Sequence, residues 1–165
     1  LYVGAATEVE MKEKKDRVDD ALAATKAAVE EGVIPGGGVG YIRALDALTK
    51  LKGENDDEQT GIEIIKKALQ SPLRQICDNA GVEGSVVVNK VIEGKDDFGY
   101  NARMDSYENL LKAGVIDPAK VARVALENAA SIAGTSMTMG ALVVDVPEKD
   151  AAAAPAMGGG MPMGM

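Results

Sequence analysis

The chain has 165 residues, of which 46% are hydrophobic, 27% charged and only 3% aromatic. That balance argues against intrinsic disorder and leaves the core to Ala, Val, Ile and Leu. A net charge of -8 disfavours nucleic acid and anionic membranes as partners, and zero histidine excludes Ser-His-Asp triads and imidazole metal ligands.

The one cysteine, Cys77, excludes an intrachain disulfide and a cysteine-cluster metal site, and points to a reducing compartment. No apolar run approaches the ~18 residues of a membrane span, and no basic-then-apolar leader is present, so a soluble, intracellular chain is expected. The opening Leu1-Tyr2-Val3-Gly4 is apolar and lacks methionine, as expected of a piece of a longer chain.

Thr7 followed by Glu10 reads as a capping box that opens a long helix stopping before Gly32. Met11, Val18, Leu22, Thr25 and Val29 fall on one stripe of it, which predicts an amphipathic surface helix. Pro35-Gly36-Gly37-Gly38 then breaks the chain, and a helical pattern resumes from Val39 to about Leu51. The acidic cluster Glu54, Asp56, Asp57 and Glu58 reads as a loop, and Thr60 to Gln70 as a helix. Ser71-Pro72 supplies a cap and a proline for the next helix, which ends near Gly81.

Ser85 to Ile92 is ambiguous, because three successive valines favour strand and Ser85 favours a helix start. Lys95 to Ala102 is rich in turn residues, and Ser106 with Asn109 to Leu111 predicts a short helix closed by Gly114. Asp117-Pro118 reads as a helix start, with an apolar face running to about Ser136. Ala141 to Val146 reads as a terminal strand. From Pro147 the composition collapses to Ala, Pro, Gly and Met, a tail expected to be disordered. The body is therefore expected to be mainly α, with short β strands.

Three features bear on chemistry. The glycine run before a helix is either a plain turn or an anion site, where free amides and the helix dipole meet a phosphate. It is neither a Walker loop nor a dinucleotide fingerprint, since no Lys-Ser or Lys-Thr follows and the glycine spacing differs. Asp19-Asp20 lies mid-helix, where Asp is unfavourable. Asp20 has Ala23, Ala24 and Ala27 around it and is either a solvated acid or a carboxylate that orients a water. Tyr100-Asn101-Ala102 offers an amide of the kind that reads base edges, while Asp117 by itself is best read as a helix cap. Cys77 is best read as a buried structural thiol.

Taken together, these blocks resemble the group I chaperonin family. The resemblance runs through Val3 to Lys14, Val18 to Thr25, Ala28 to Gly32, Gly36-Gly37-Gly38, Pro72 to Ile76, Gly99 to Ala102 and Ile116-Asp117-Pro118, in the family's order and spacing. It implies the C-terminal third of a three-domain subunit. Residues 1–30 would belong to the intermediate hinge domain, 31–146 to the C-terminal half of the multihelical equatorial ATPase domain, and 147–165 to a Gly/Met-rich tail.

The resemblance also implies site roles. Asp20 matches an aspartate that swings over bound ATP and positions the hydrolytic water. Gly37 matches a nucleotide-contacting glycine, Asn101 and Ala102 adenine-side contacts, and Asp117 an acid near the ribose. Arg74 and Glu83 fall where the family's stacked rings touch. The implied cofactors are ATP and magnesium, with potassium a further candidate, and the magnesium ligand is expected in a preceding half of the subunit.

The implied partners are identical subunits in two stacked seven-membered rings, a 10 kDa co-chaperonin and unfolded polypeptides, with no nucleic acid and no membrane. The implied compartment is bacterial cytoplasm, or an organelle matrix. Alone, these 165 residues are expected to show no appreciable ATPase activity, because transfer of a phosphoryl group needs metal and preorganised donors that the matched blocks lack.

Three departures from the family pattern stand out. Arg103 replaces a small alanine, Met139-Gly140-Ala141 replaces a threonine, acid and cysteine, and the first helix lacks a histidine. The competing reading is a non-enzymatic helical oligomerisation or interaction module that keeps the fold without nucleotide turnover.

Overall fold

A computed structural model describes residues 2–145. Thr7 caps α1 (Glu8–Glu31), its hydroxyl accepting the Glu10 N–H at 3.2 Å, and α1 ends at Gly32 with φ +83°. Strand β1 (Val33–Pro35) and a glycine bend lead into α2 (Val39–Thr49). The next elements are α3 (Asp56–Ala68), α4 (Ser71–Asn79), α5 (Gly84–Glu93), and a hairpin of β2 (Phe98–Asn101) and β3 (Ser106–Asn109). A single helical turn, α6 (Leu110–Ala113), then β4 (Ile116–Pro118) and α7 (Ala119–Met137) complete the described chain. The expectation of a mainly α body with short strands holds.

Several local expectations change. The acidic cluster is not all loop: Asn55 caps the Glu58 N–H at 2.9 Å, and Asp56, Asp57 and Glu58 form the first turn of α3. Carboxylates there face the positive end of the helix dipole, so their charge favours the helix. Ser71 is the first residue of α4 rather than its cap, and no side chain caps that helix. Residues 84–93 are helical, with the Glu83 side chain accepting the Ser85 N–H. Ser106 to Asn109 is a strand, and only Leu110 to Ala113 forms the helix that Gly114 closes at φ +77°.

The predicted terminal strand is absent over 141–145, where Leu142, Val143 and Val144 are exposed with no strand partner among the described residues. Val146 and the predicted tail lie outside the described residues.

The core comprises Val39 and Ile42 of α2, Leu73 and Cys77 of α4, Val87, Val88 and Val91 of α5, Tyr100 and Leu110. Cys77 is fully buried, and burial pushes its thiol above the ordinary range, as suits an inert structural cysteine. Arg43 of α2 joins the layers by donating to the carbonyls of Asp96, Gly94 and Phe98 at 2.7–2.8 Å. This fork satisfies main-chain acceptors where α5 ends and β2 begins.

Helices α1 and α7 contribute no buried residue and pack on each other outside this core. The stripe through Met11, Val18, Leu22 and Val29 stays exposed, and α1 instead meets α7 through small side chains such as Ala27. Polar links fix the junction. Arg123 grips Glu31 with two nitrogens, at 2.6 and 3.0 Å, and also pairs with Glu127, while Lys120 pairs with Glu30. The Arg123 hydrogen bond is the main reason the Glu31 carboxyl is held below its ordinary range.

Candidate functional site

The glycine bend is tied to the segment that precedes β4. The Gly36 N–H donates to the Val115 carbonyl at 2.9 Å, and Gly37 and Gly38 take left-handed φ of +64° and +79°. At Gly38 a Cβ would sit 2.7 Å from the Leu73 backbone nitrogen, so glycine is required by conformation and by space together. Antiparallel pairing of β1 with β4, Ile34 opposite Asp117, then lays Asp117 beside the bend.

The capping expectation for Asp117 is overturned. This residue is in strand β4, the cap position of α7 is Pro118, and no side chain caps that helix. Its carboxyl is pushed above the ordinary range, mainly by desolvation and partly offset by the Gly37 backbone N–H. The Tyr41 phenol, raised by burial and by the Asp117 charge, donates to the Ala122 carbonyl at 2.8 Å and ties α2 to α7.

On the other side of the bend, the β2–β3 hairpin completes a cavity of about 500 Å³. Gly37, Ile76, Tyr100, Asn101, Ala102 and Arg103 line it, with Met104 and residues 113–115. A Cβ at Gly37 would find only the Tyr100 carbonyl within 4 Å, at 3.8 Å, so the glycine opens space there.

The hairpin turn is held from within. Asn101, nearly buried, accepts the Arg103 and Met104 N–H groups on Oδ1 at 3.1 and 3.3 Å and donates to Glu108 at 2.8 Å. Its amide is thus engaged by its own turn, leaving one Nδ2 hydrogen. Tyr100 donates to Asp105 at 2.8 Å, and that bond is the largest cause of its phenol being pushed up to about 12. Lys90 lies 3.7 Å over the Tyr107 ring, which packs on Tyr100 and Phe98.

Gly37, Asn101 and Ala102 therefore meet in one cavity, with Asp117 adjoining at Gly37. Asp20 is not among them. It is exposed on α1, twelve residues before Gly32, or about 18 Å along the axis at 1.5 Å per residue. Arg74 and Glu83 share the α4–α5 end: Arg74 bonds Gln70, Glu83 bonds Ser85, and no ion pair joins them among the described residues. Arg103, noted in the sequence only as a departure, is a lining residue. Tyr41 and Glu108 had no distinguishing signal in the sequence.

Since Asp117 is easier to protonate when folded, its ionisation opposes folding, and that contribution grows as pH rises above the ordinary carboxylate value of 3.8. Asp117→Asn is expected to raise the melting temperature at pH 7 slightly, to leave it unchanged near pH 3, and to weaken any ligand held at Gly37. Thermal melts across that pH range check the sign.

Residues 1–147 match the model of the TCP-1/cpn60 chaperonin family. The chain belongs to this family, and with it goes a chaperone role in protein folding. The family is generally of the ATPase type and is one of ring-forming proteins that bind polypeptide substrates.

Proposed function

We propose that this chain supplies the base- and ribose-side half of a chaperonin ATP site, together with the acid that works on it. The observation that carries the reading is the convergence of Gly37 with the distant pair Asn101-Ala102 on one cavity of about 500 Å³, a size that suits a nucleotide. Ala102 and the open face of Gly37 leave room for a flat base, and Asp117, adjoining at Gly37, would accept from a ribose hydroxyl.

Among the described residues no cluster of three acidic or thiol side chains could hold a metal. The acid is Asp20. It is carried on α1, whose C-terminal part packs on α7 and whose end at Gly32 is the joint, and acts when α1 closes over the cavity, orienting the attacking water. In this reading the subunit hydrolyses ATP to drive folding of unfolded polypeptides in two stacked seven-membered rings with a 10 kDa co-chaperonin, Arg74 and Glu83 setting register between rings. The setting is bacterial cytoplasm.

Titration of the full-length subunit with Mg-ATP tests the site. Saturable binding is expected, and Ala102→Leu, which fills the cavity from a half-buried position, is expected to weaken it at least tenfold with the melting temperature nearly unchanged. Equal affinity in the leucine variant would remove the cavity from consideration. The alternative, an interaction module without turnover, draws on the exposed Val121, Ile132 and Met137 of α7, and the same titration decides against it if ATP binds.

A further inference from the structure

Arg103 is the one charged side chain lining the Gly37–Asn101 cavity. Its main chain is fixed: its N–H donates to Asn101 Oδ1 at 3.1 Å, and Asn101 is itself held by Glu108 at 2.8 Å. Beyond it, Asp105 takes a left-handed φ of +48° and accepts the Tyr100 hydroxyl. The turn is therefore set before any ligand arrives. The guanidinium, by contrast, makes no hydrogen bond or ion pair among the described residues. The arginines and lysines that form ion pairs among the described residues, Lys66, Lys120 and Arg123, belong to α3 and α7. A positioned backbone with an unengaged, planar cation at the rim of an otherwise uncharged cavity is an arrangement that serves a ligand better than it serves the fold.

We infer that Arg103 is a specificity-determining residue of this cavity: its guanidinium stacks on the base of the bound nucleotide and closes the cavity on that side. The inference rests on the nucleotide reading above. Within that reading the base lies beside Asn101 and Ala102, the neighbours of Arg103 in the same turn. The ribose instead belongs toward Gly37 and Asp117, whose carboxylate takes the Gly37 N–H, so the phosphates lie beyond them, away from Arg103. A guanidinium is weakly hydrated and flat, so it covers an aromatic face in a way an ammonium cannot. A purine presents the larger face.

The test is calorimetric titration of the full-length subunit, unaltered and as Arg103→Ala and Arg103→Lys, with ATP and with adenosine. Arg103→Ala is expected to weaken both ligands by the same factor, about fivefold for a lost stacking contact. Arg103→Lys is expected to resemble the alanine variant, because it keeps the charge and loses the plane. Unchanged affinities would overturn the assignment and leave Arg103 a solvated side chain. A loss for ATP alone, restored by lysine, would also overturn it, since that is the signature of a phosphate contact. If the unaltered subunit binds neither ligand, the nucleotide reading fails and this assignment with it.

Discussion

Asp20→Ala in the full-length subunit is expected to slow ATP turnover about a hundredfold, the lower end for loss of a positioned acid–base group, while nucleotide affinity stays within about twofold. The two effects separate because of where Asp20 sits. Its side chain is exposed, and no hydrogen bond or ion pair engages it among the described residues. Truncating it therefore removes no packing. It lies about 18 Å along α1 from Gly32, so the binding proposed at Gly37 and Asn101 would proceed without it.

The helix that carries Asp20 spans 24 residues; among the described residues its ion pairs to another element lie at its C-terminal end, Glu30 with Lys120 and Glu31 with Arg123, and it faces α7 from Ala23 onward. In the proposed mechanism, rotation about Gly32 would carry Asp20 over a long arc, and the acid would contribute only in the closed geometry. Asp20→Asn is expected to match the alanine variant, since an amide cannot take the proton of the attacking water. Steady-state turnover and a separate binding titration make the measurement. Parallel loss of turnover and affinity would mean that Asp20 shapes the site and does no chemistry.

What was legible in the sequence was local. The capping box at Thr7 and Glu10 and the stop at Gly32 are written in neighbouring residues, and the structure follows them. Where two local rules competed, the stronger partner set decided: residues 84–93 are helical despite three valines, because Glu83 caps the start and Val87, Val88 and Val91 bury one helical face. The strand expected over 141–146 shows the converse. Alternation alone cannot make a strand without a partner edge, and none is described for 141–145.

The site was legible in its parts and not in its assembly. The triple glycine and the Tyr-Asn-Ala turn could each be picked out, but what joins them is the α6 segment, which contacts both β1 and β2 and whose following Val115 accepts the Gly36 N–H, contacts that no spacing encodes. Asp117 was misread for the same reason. Asp before Pro at a helix start fits the local capping rule, and only the long-range strand pairing turns that carboxyl toward Gly37. The stripe on α1 states that a face exists and is silent on what meets it. Here α7 takes the small-residue face instead.

Gly38→Ala is expected to destabilise the fold by about 3 kcal/mol, combining a left-handed backbone penalty of roughly 1–2 kcal/mol with an overpacking term of similar size. Both contributions come from one place. The φ of Gly38 is +79°, and an added Cβ would meet the Leu73 backbone nitrogen at 2.7 Å and its Cα at 3.1 Å. Leu73 is fully buried in the core between α2, α4 and α5, so it cannot retreat without displacing Val39 or Cys77.

Relief must then come from the bend, which moves Gly37, so ligand affinity falls with stability. Gly61→Ala is the matched control and is expected to have the opposite sign. Gly61 lies in α3 at an exposed position, with nothing within 4 Å of an added Cβ, and alanine there is worth about 0.5–1 kcal/mol to the helix. Denaturant melts of the two variants measure both signs. A neutral Gly38→Ala would show that the bend relaxes freely, and a flexible bend could not hold a ligand site in place before the ligand binds.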